Sequence, residues 1–231
     1  MGLLDTILGR TKPVRANLDA LFALPSAAVT LQASAGLVST GRAGVCFKPP
    51  AGEPFEQVQD EVEQMLRMND AAGPSPAGSA AGTGSALTQP SADTAAAAPL
   101  AVRHVGDRFG YRWILIDAPG IDDLVTRVHV VHSSLEDAGW STQLLCSVFG
   151  FAPGNASDAT DAVSQPLYLV YLAKRGTFYP FAPCGEDQRD SELELRIRSL
   201  VGSDLPVESD LSRWFPLWDL PVAGPPADDS H

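Results

Sequence analysis

Apolar residues in positions 112–151 change their spacing twice, and the rest of the chain is expected to pack around this stretch. Residues 113–116 form a continuous apolar run, which is typical of a central strand buried on both faces. Between residues 121 and 135 the apolar positions recur at intervals of three and four, which predicts an amphipathic helix. Residues 144–152 have the length and composition of a strand. The pattern predicts a strand, a helix and a second strand in direct succession.

Shorter patterned segments lie on both sides of this unit. Apolar residues on one helical face predict three other helices, at residues 14–24, 53–69 and 186–201. The helix at residues 14–24 is expected to end near Pro25. The other strands are short and bounded by glycine, proline or polar turns; they are predicted at residues 28–32, 44–48, 102–105, 109–117, 166–173 and 177–183. Together these elements predict an α+β fold, a mostly antiparallel sheet packed against helices.

One segment lacks the composition of a folded core. Residues 71–100 consist mainly of Ala, Gly, Ser, Thr and Pro, with one charge and no aromatic side chain. Such a segment buries too little apolar surface to offset the entropy lost on ordering it. We therefore expect a disordered insertion at residues 71–100 within a single domain of residues 1–220, followed by a disordered tail at residues 221–231.

The charge balance limits the kinds of partner. The formal net charge of −12 argues against nucleic acid, because neutralising phosphates requires a basic surface. Residues 1–50 nevertheless carry five basic and two acidic side chains, so an anionic partner is expected to meet the N-terminal end.

Two further features indicate the cytoplasm. No run approaches the roughly 18 apolar residues that a membrane-spanning helix needs, and the N-terminus lacks the pattern of an export signal. The three cysteines, Cys46, Cys146 and Cys184, are far apart in sequence, so they are expected to be buried free thiols.

The N-terminal residues 1–12 have the pattern of a docking helix. Four apolar residues share one helical face and three basic residues follow; the docking set is Leu3, Leu4, Ile7, Leu8, Arg10, Lys12 and Arg15. Such a helix suits a membrane surface or the groove of a partner, and a short helix packed on its own domain is the alternative. The expected location is the cytoplasm, with contact to the inner face of the cell membrane.

Two aromatic segments are candidate recognition surfaces. Residues 213–218 are the richest aromatic cluster of the chain, and they form either a strap that covers the sheet or an exposed anchor for a partner. Residues 175–181 combine a predicted hairpin tip with several aromatic side chains. The predicted partner-binding residues are Arg175, Phe178, Tyr179, Phe181, Trp214, Phe215 and Trp218.

Residues that point to catalysis are few. Asp117 follows the apolar run 113–116, where an acidic residue either holds Mg²⁺ or simply favours a turn. His129 and His132 are three apart and can face one ligand from a helix, but His132 lies on the apolar face, where a hydrogen-bonded core histidine is the alternative. A metal- or nucleotide-dependent hydrolase centred on these three residues is the enzymatic alternative.

Residues 36–43 have the glycine spacing of a phosphate-binding loop. Arg42 and Ala43 stand where that loop needs Lys and Ser or Thr to contact phosphate and Mg²⁺, so the required chemistry is missing. No catalytic motif is visible elsewhere in the sequence. We expect no enzymatic activity, no cofactor and no small-molecule substrate.

Five collinear segments carry a family resemblance: MGLLDTILGRTKPVRANLDALFALPSAA, GVCFKPP, LIDAPGIDDLVTRVHVVHSSLEDAG, LLCSVFGF and YLVYLAKRGTFYPFAP. Together they resemble PspAB, the PspA-associated protein family of actinobacteria. The resemblance implies a part in a phage-shock-like envelope stress response, alongside the membrane-remodelling protein PspA and often a membrane metalloprotease of the HtpX type. It implies no catalytic residues.

The order of predicted helices and strands also resembles the small α+β fold of type III secretion chaperones and YbjN-like stress proteins. Those proteins are binding modules, so this resemblance implies a general peptide-binding chaperone as a further alternative. The expectation that combines these observations is a non-enzymatic adaptor of the PspA response. It docks at the membrane through its N-terminal helix and holds a protein partner on the sheet or the aromatic segments.

Overall fold

Six strands form one antiparallel sheet, which confirms the predicted α+β class. The computed structural model describes residues 18–48, 60, 64, 102–154 and 162–223. The strands of the sheet are β1 (Leu37–Phe47), β2 (Val102–Gly106), β3 (Arg112–Asp117), β4 (Leu144–Pro153), β5 (Leu167–Leu172) and β6 (Thr177–Phe181). Their order is β2-β3-β1-β4-β5-β6, and every neighbouring pair is antiparallel. β1 and β4 are therefore the central strands.

Three α-helices with described bounds accompany the sheet: α1 (Leu24–Ala35), α2 (Ile121–Asp137) and α3 (Ser191–Val201). Shorter 3-10 segments cover Leu18–Ala23, Leu211–Arg213 and Pro221–Ala223. A separate two-stranded hairpin, β7 (Pro183–Gly185) with β8 (Gln188–Arg189), precedes α3. The predicted strand, helix and strand at the centre of the chain correspond to β3, α2 and β4. The strands predicted at residues 102–105 and 109–117 correspond to β2 and β3, and those predicted at residues 166–173 and 177–183 correspond to β5 and β6.

The strand predicted at residues 28–32 is wrong, because these residues lie inside α1. Pro25 lies in the first turn of this helix, which begins at Leu24 directly after the 3-10 segment. A proline ring suits that turn, where no intrahelical N–H donor is needed. The helix ends at Gly36, which has a φ of 66° and donates its N–H to the Gln32 carbonyl. Within the helix predicted at residues 14–24, the described residues Leu18–Ala23 form a 3-10 helix.

The glycine-spaced residues 36–43 form a helix end followed by the start of β1, and not a loop. Gly41 has a φ of 71°, at an irregularity in the β1–β4 register. Its carbonyl accepts a hydrogen bond from the Ala118 N–H at 2.8 Å, and a Cβ at this position would come within 2.4 Å of the Ala118 oxygen. Backbone conformation and close packing therefore explain the glycine here.

The remaining predictions differ from the structure at element ends or lie outside its described part. The last helix begins at Ser191 and not at residue 186, because the turn after β7 and the strand β8 occupy residues 186–189. Val222, in the predicted tail, is buried against the sheet. The predicted helix at residues 53–69 lies outside the described residues except for Asp60 and Gln64, which are helical. The segment 71–100 and residues 224–231 lie outside them too.

The continuous helical stretch Leu18–Ala35 has a mean hydropathy of 1.2, and its length and composition alone would allow it to cross a membrane. A buried core helix has the same composition. Leu21, Leu24 and Leu31 are fully buried in the cluster that joins the helices to the sheet. On another side, Thr30 Oγ1 donates to an Asp204 carboxylate oxygen at 2.7 Å. One side of this stretch therefore packs into the core of the protein, although only 28% of the stretch is buried.

The sheet is buried on both faces. One face carries α1, α2 and α3 and forms a cluster with alternate strand residues such as Val45, Ile114 and Phe149. The other face presents the intervening residues, and a C-terminal segment covers them. We call residues 214–223 the C-terminal strap; its Trp214, Leu220 and Val222 belong to the second cluster. Residues 213–218 were expected to form either a strap that covers the sheet or an exposed anchor for a partner. Trp214 is buried against the sheet, as expected for the strap.

Candidate functional site

A cavity of about 570 Å³ lies between the C-terminal strap and the β2–β3 turn, on the sheet face without helices. Its size falls within the range of ligand-binding pockets, roughly 300 to 1,000 Å³, and its lining is mainly apolar. The floor is formed by strand residues, the wall by the β2–β3 turn and the roof by the strap. The lining residues are Cys46, Asp107, Phe109, Tyr111, Trp113, Leu145, Cys146, Leu172, Tyr179, Phe215, Pro216, Leu217 and Trp218. We call this cavity the strap pocket.

Asp107 builds the wall of the strap pocket. Its carboxylate accepts hydrogen bonds from the backbone N–H groups of Phe109 at 2.8 Å and Tyr111 at 2.9 Å, as aspartate does in many tight turns. The same carboxylate accepts from Trp113 Nε1 at 2.9 Å. With three donors bound, Asp107 serves to hold the aromatic side chains of the turn beside the cavity.

The strap is held over the cavity by polar contacts at several points. Tyr179 donates its hydroxyl hydrogen to the Phe215 carbonyl at 2.9 Å, and burial is the main cause that raises the pKa of this phenol. Arg189 Nη1 donates to the Trp214 carbonyl at 2.6 Å. At the mouth, the Arg108 guanidinium and the Asp219 carboxylate form a 2.7 Å ion pair that joins the β2–β3 turn to the strap.

Two aromatic side chains at the pocket are largely exposed. Phe109 on the turn is 56% exposed and Phe215 on the strap is 61% exposed, although apolar groups of this size are usually buried. Two cations flank the turn aromatics: Lys48 Nζ lies 5.8 Å from the Tyr111 ring centroid, and Arg108 lies 4.9 Å from that of Phe109. The strap pocket thus combines an apolar cavity with exposed aromatic groups and nearby positive charge, which suits an apolar group of a ligand or partner.

The predicted partner-binding aromatic residues are divided by the structure. Phe178 is buried and packs on the Tyr171 ring, with 4.9 Å between centroids. Phe181 and Trp214 are buried too, in the cluster under the strap. Phe215 and Trp218 line the strap pocket together with Tyr179, which forms part of its floor. Partner binding stays a prediction, and Phe215 is the member of this set that is most exposed.

Arg175, the remaining member, forms an ion pair with the buried Glu208 carboxylate. Thr177 Oγ1 donates to the same carboxylate at 3.1 Å. Burial by itself raises the pKa of Glu208, but the hydrogen bonds from Arg175, the Asp210 N–H and Thr177 outweigh it, so the pKa lies below its usual value. Arg175 therefore fastens the β5–β6 turn to the segment that leads into the strap.

The residues of the hydrolase alternative are not brought together. Asp117 forms ion pairs with Arg42 at 3.4 Å and Arg103 at 3.2 Å, at the end of β3. His132 lies three turns into α2, about 16 Å along its axis from the first residue. Its Nε2 is 2.6 Å from Ser147 Oγ, inside the core. Among the described residues, no group of three His, Cys, Asp or Glu side chains is placed to hold a metal ion.

His132 has the environment of a core histidine, which is one of the two roles that its position on the apolar helix face predicted. It is fully buried, and its Nδ1 has no hydrogen-bond partner. Burial, with a smaller contribution from the nearby His129, lowers its pKa to about 3, so the imidazole is neutral at physiological pH. His129 packs against Phe22 instead, with 5.2 Å between ring centroids.

The strap pocket contains residues that sequence reasoning missed. Phe109, Tyr111, Cys46 and Cys146 all line it, yet none was predicted as a site residue. Phe109 and Tyr111 follow the Gly106-Asp107 turn in the sequence and could have indicated a binding surface, because exposed hairpin turns seldom need two aromatic side chains. The seven residues of the N-terminal docking set lie outside the described residues, so their role stays a prediction.

These observations define a class: an α+β protein whose described part offers an apolar pocket with exposed aromatic groups. The family model of PspA associated protein B matches residues 1–81 and 86–222. The chain therefore belongs to this family, as the resemblance of its motifs indicated. The family name indicates association with PspA, which is consistent with an accessory role. Comparisons with curated proteins and with solved structures found no match.

Proposed function

We propose that the protein is a non-enzymatic adaptor of a PspA envelope stress response, which binds a protein partner at the cytoplasmic membrane surface. Family membership supports the association with PspA. The observation that carries the binding role is the strap pocket, an apolar cavity of about 570 Å³ beside two exposed phenylalanines. PspA is the first candidate partner, and a protein that acts with PspA is the second.

The proposed binding mode uses the pocket and its rim differently. An apolar side chain of the partner enters the cavity, where it is shielded from water by Phe109 and Phe215. Lys48 favours a partner segment that carries an acidic residue beside its apolar anchor, because opposite charges at a rim increase the association rate; Arg108 is already paired with Asp219. The N-terminal docking set would then hold the complex at anionic lipid.

The first test removes the exposed aromatic groups. We expect the double variant Phe109→Ser with Phe215→Ser to weaken binding to purified PspA about tenfold or more, because both side chains lose apolar contact with the partner. Titration calorimetry measures the dissociation constant. The control is Phe22→Ser, which removes a side chain of similar exposure, 53%, next to His129 on α2. Equal affinities for the double variant and the wild type would show that PspA does not use the strap pocket.

The second test addresses the membrane. Deleting residues 2–12 is expected to abolish co-sedimentation with vesicles that contain anionic lipid, because the apolar face and two of the three basic residues are removed. A variant that keeps the chain length, with Leu4→Ser and Leu8→Ser, separates loss of the apolar face from loss of the segment. If the deletion leaves co-sedimentation with both vesicles and PspA unchanged, the docking assignment of the N-terminus is wrong.

The chaperone alternative uses the same pocket but predicts a different range of partners. A peptide-binding chaperone protects several unrelated clients from aggregation, whereas the proposed adaptor recognises one. Light-scattering assays with several aggregation-prone clients distinguish them, and protection of all clients that is lost in the Phe109 and Phe215 double variant would favour the chaperone.

A further inference from the structure

Cys46 and Cys146 face each other across the two central strands. They are direct partners in the antiparallel register of β1 and β4. Residues directly opposite in such a pair project to the same face, with Cα atoms about 4.5 to 5.5 Å apart. A disulfide needs Cα atoms about 4.4 to 6.8 Å apart. The register therefore places the two thiols where a bond can form with little movement of the backbone.

Both thiols also lie at the floor of the strap pocket. The residues are only 4% and 6% exposed, but each lines the cavity, so a small molecule that enters the pocket can reach them. Cys184, the third cysteine, differs from these two in exposure and in position: it is exposed and lies in β7, outside the six-stranded sheet. Its exposure corrects the expectation that all three thiols are buried.

We propose that Cys46 and Cys146 form a dithiol–disulfide couple that a small two-electron oxidant, such as hydrogen peroxide, converts to an intramolecular disulfide. One of the two sulfurs attacks one peroxide oxygen, the O–O bond breaks, and a sulfenic acid and one water form. The other sulfur then attacks the sulfur of the sulfenic acid, the S–O bond breaks, and a second water leaves with the thiol proton. Two sulfurs are oxidised and one peroxide is reduced.

The local environment affects how fast the couple reacts. The interaction with the Cys146 side chain is the largest cause that raises the pKa of the Cys46 thiol, and burial is the next, so the oxidation is expected to be slow at neutral pH. The inference does not depend on the proposed adaptor function, because it needs no partner. Oxidation would therefore change the chemistry of the pocket floor with little movement of the strands.

Oxidation is expected to stabilise the folded chain. The new bond ties the central strands together and closes the chain between residues 46 and 146, which removes conformations mainly from the unfolded state. We expect the thermal unfolding midpoint to rise by roughly 5 to 15 °C. Addition of dithiothreitol should return the midpoint to its original value.

The experiment uses full-length protein with Cys184→Ser, which prevents bonds between molecules through the exposed thiol. Folded protein is treated with hydrogen peroxide, quenched, denatured in excess alkylating reagent and examined by intact mass and peptide mapping. The expected product has lost two hydrogen atoms, takes up no alkyl group and contains a Cys46–Cys146 peptide pair. Wild-type protein should form the same pair and keep one alkylatable thiol.

Two results would overturn the proposal. One is the recovery of two alkylatable thiols, or of sulfinic and sulfonic acids without the bridged peptide, from folded Cys184→Ser protein after oxidation. The other is a bridge that forms only when urea is present during oxidation. Cys46→Ser and Cys146→Ser should each form no internal bridge. If either variant fails to fold, the mapping of Cys184→Ser protein decides the question alone.

Discussion

Replacing Arg189 with alanine is expected to lower the free energy of unfolding by about 3 to 5 kcal/mol, because it leaves a buried carboxylate without its counter-charge. Arg189 Nε and Nη2 donate to the Glu194 carboxylate at distances of 2.6 to 3.0 Å. The Glu194 side chain is 3% exposed, so water cannot take the place of the guanidinium without structural change. The Ala182 N–H, at 2.9 Å, would be its remaining donor.

The effect should extend to the strap. The same guanidinium donates through Nη1 to the Trp214 carbonyl, so it links α3, which contains Glu194, to the start of the strap. Its removal is therefore expected to loosen the roof of the strap pocket as well as the α3 packing. Urea denaturation followed by tryptophan fluorescence measures the free energy of unfolding, and its signal comes from all four tryptophans, Trp214 among them.

Two variants serve as controls for Arg189. Arg213→Ala breaks an exposed ion pair with Asp210 and should leave the free energy of unfolding close to the wild-type value. Glu194→Gln in the Arg189→Ala background removes the unpaired charge but keeps an acceptor for Ala182, so it should restore about half of the lost stability. Strictly additive effects of the two changes would mean that Arg189 does not stabilise the chain through Glu194.

Lowering the pH is expected to destabilise the protein through His132. Its pKa is about 3 in the folded chain and 6.5 as the reference value of an unperturbed histidine. Above pH 6.5 the imidazole is neutral in both states and has no effect on the pH dependence. Between these two values the unfolded chain binds a proton that the folded chain does not, so the free energy of unfolding falls by about 1.4 kcal/mol per pH unit. Below the folded value the loss is complete.

The measurement compares wild type with His132→Gln, which has a side chain of similar length and no titratable group. The stability advantage of the wild type over this variant should shrink by about 2 to 3 kcal/mol between pH 6.5 and 4.5. His129→Gln, on the same helix but packed against Phe22, should keep most of the wild-type pH dependence. Parallel stability curves for wild type and His132→Gln would contradict the assignment of His132 as a neutral core histidine.

The two histidines also show how far spacing alone can be interpreted. An interval of three residues places both on neighbouring positions of a helix, which is compatible with a metal site or with packing. In the structure His132 turns to Ser147 on β4 and His129 contacts Phe22. Which neighbours a helical face meets depends on the elements packed against it, and residue spacing carries no information about them.

The sequence by itself determined the central unit. β3, α2 and β4 were predicted with nearly their observed bounds, because burial gives the two strands runs of apolar residues and gives the helix one apolar face at regular spacing. α1 was missed because its buried positions include the small residues Ala27 and Ala35, which give a weak apolar pattern, while Val29, Thr30 and Leu31 favour a strand locally. Packing against the sheet decided its conformation.

Only the tertiary structure decided the site. Phe109 and Phe215 are separated by more than a hundred residues, and the strap pocket exists because residues 214–223 return across the sheet to the β2–β3 turn. Cys46 and Cys146 meet because β1 and β4 are neighbours, although α2 and β3 lie between them in the chain. Local sequence patterns indicate which residues are buried. A pocket depends on which distant segments pack against the same surface, and local patterns do not show this.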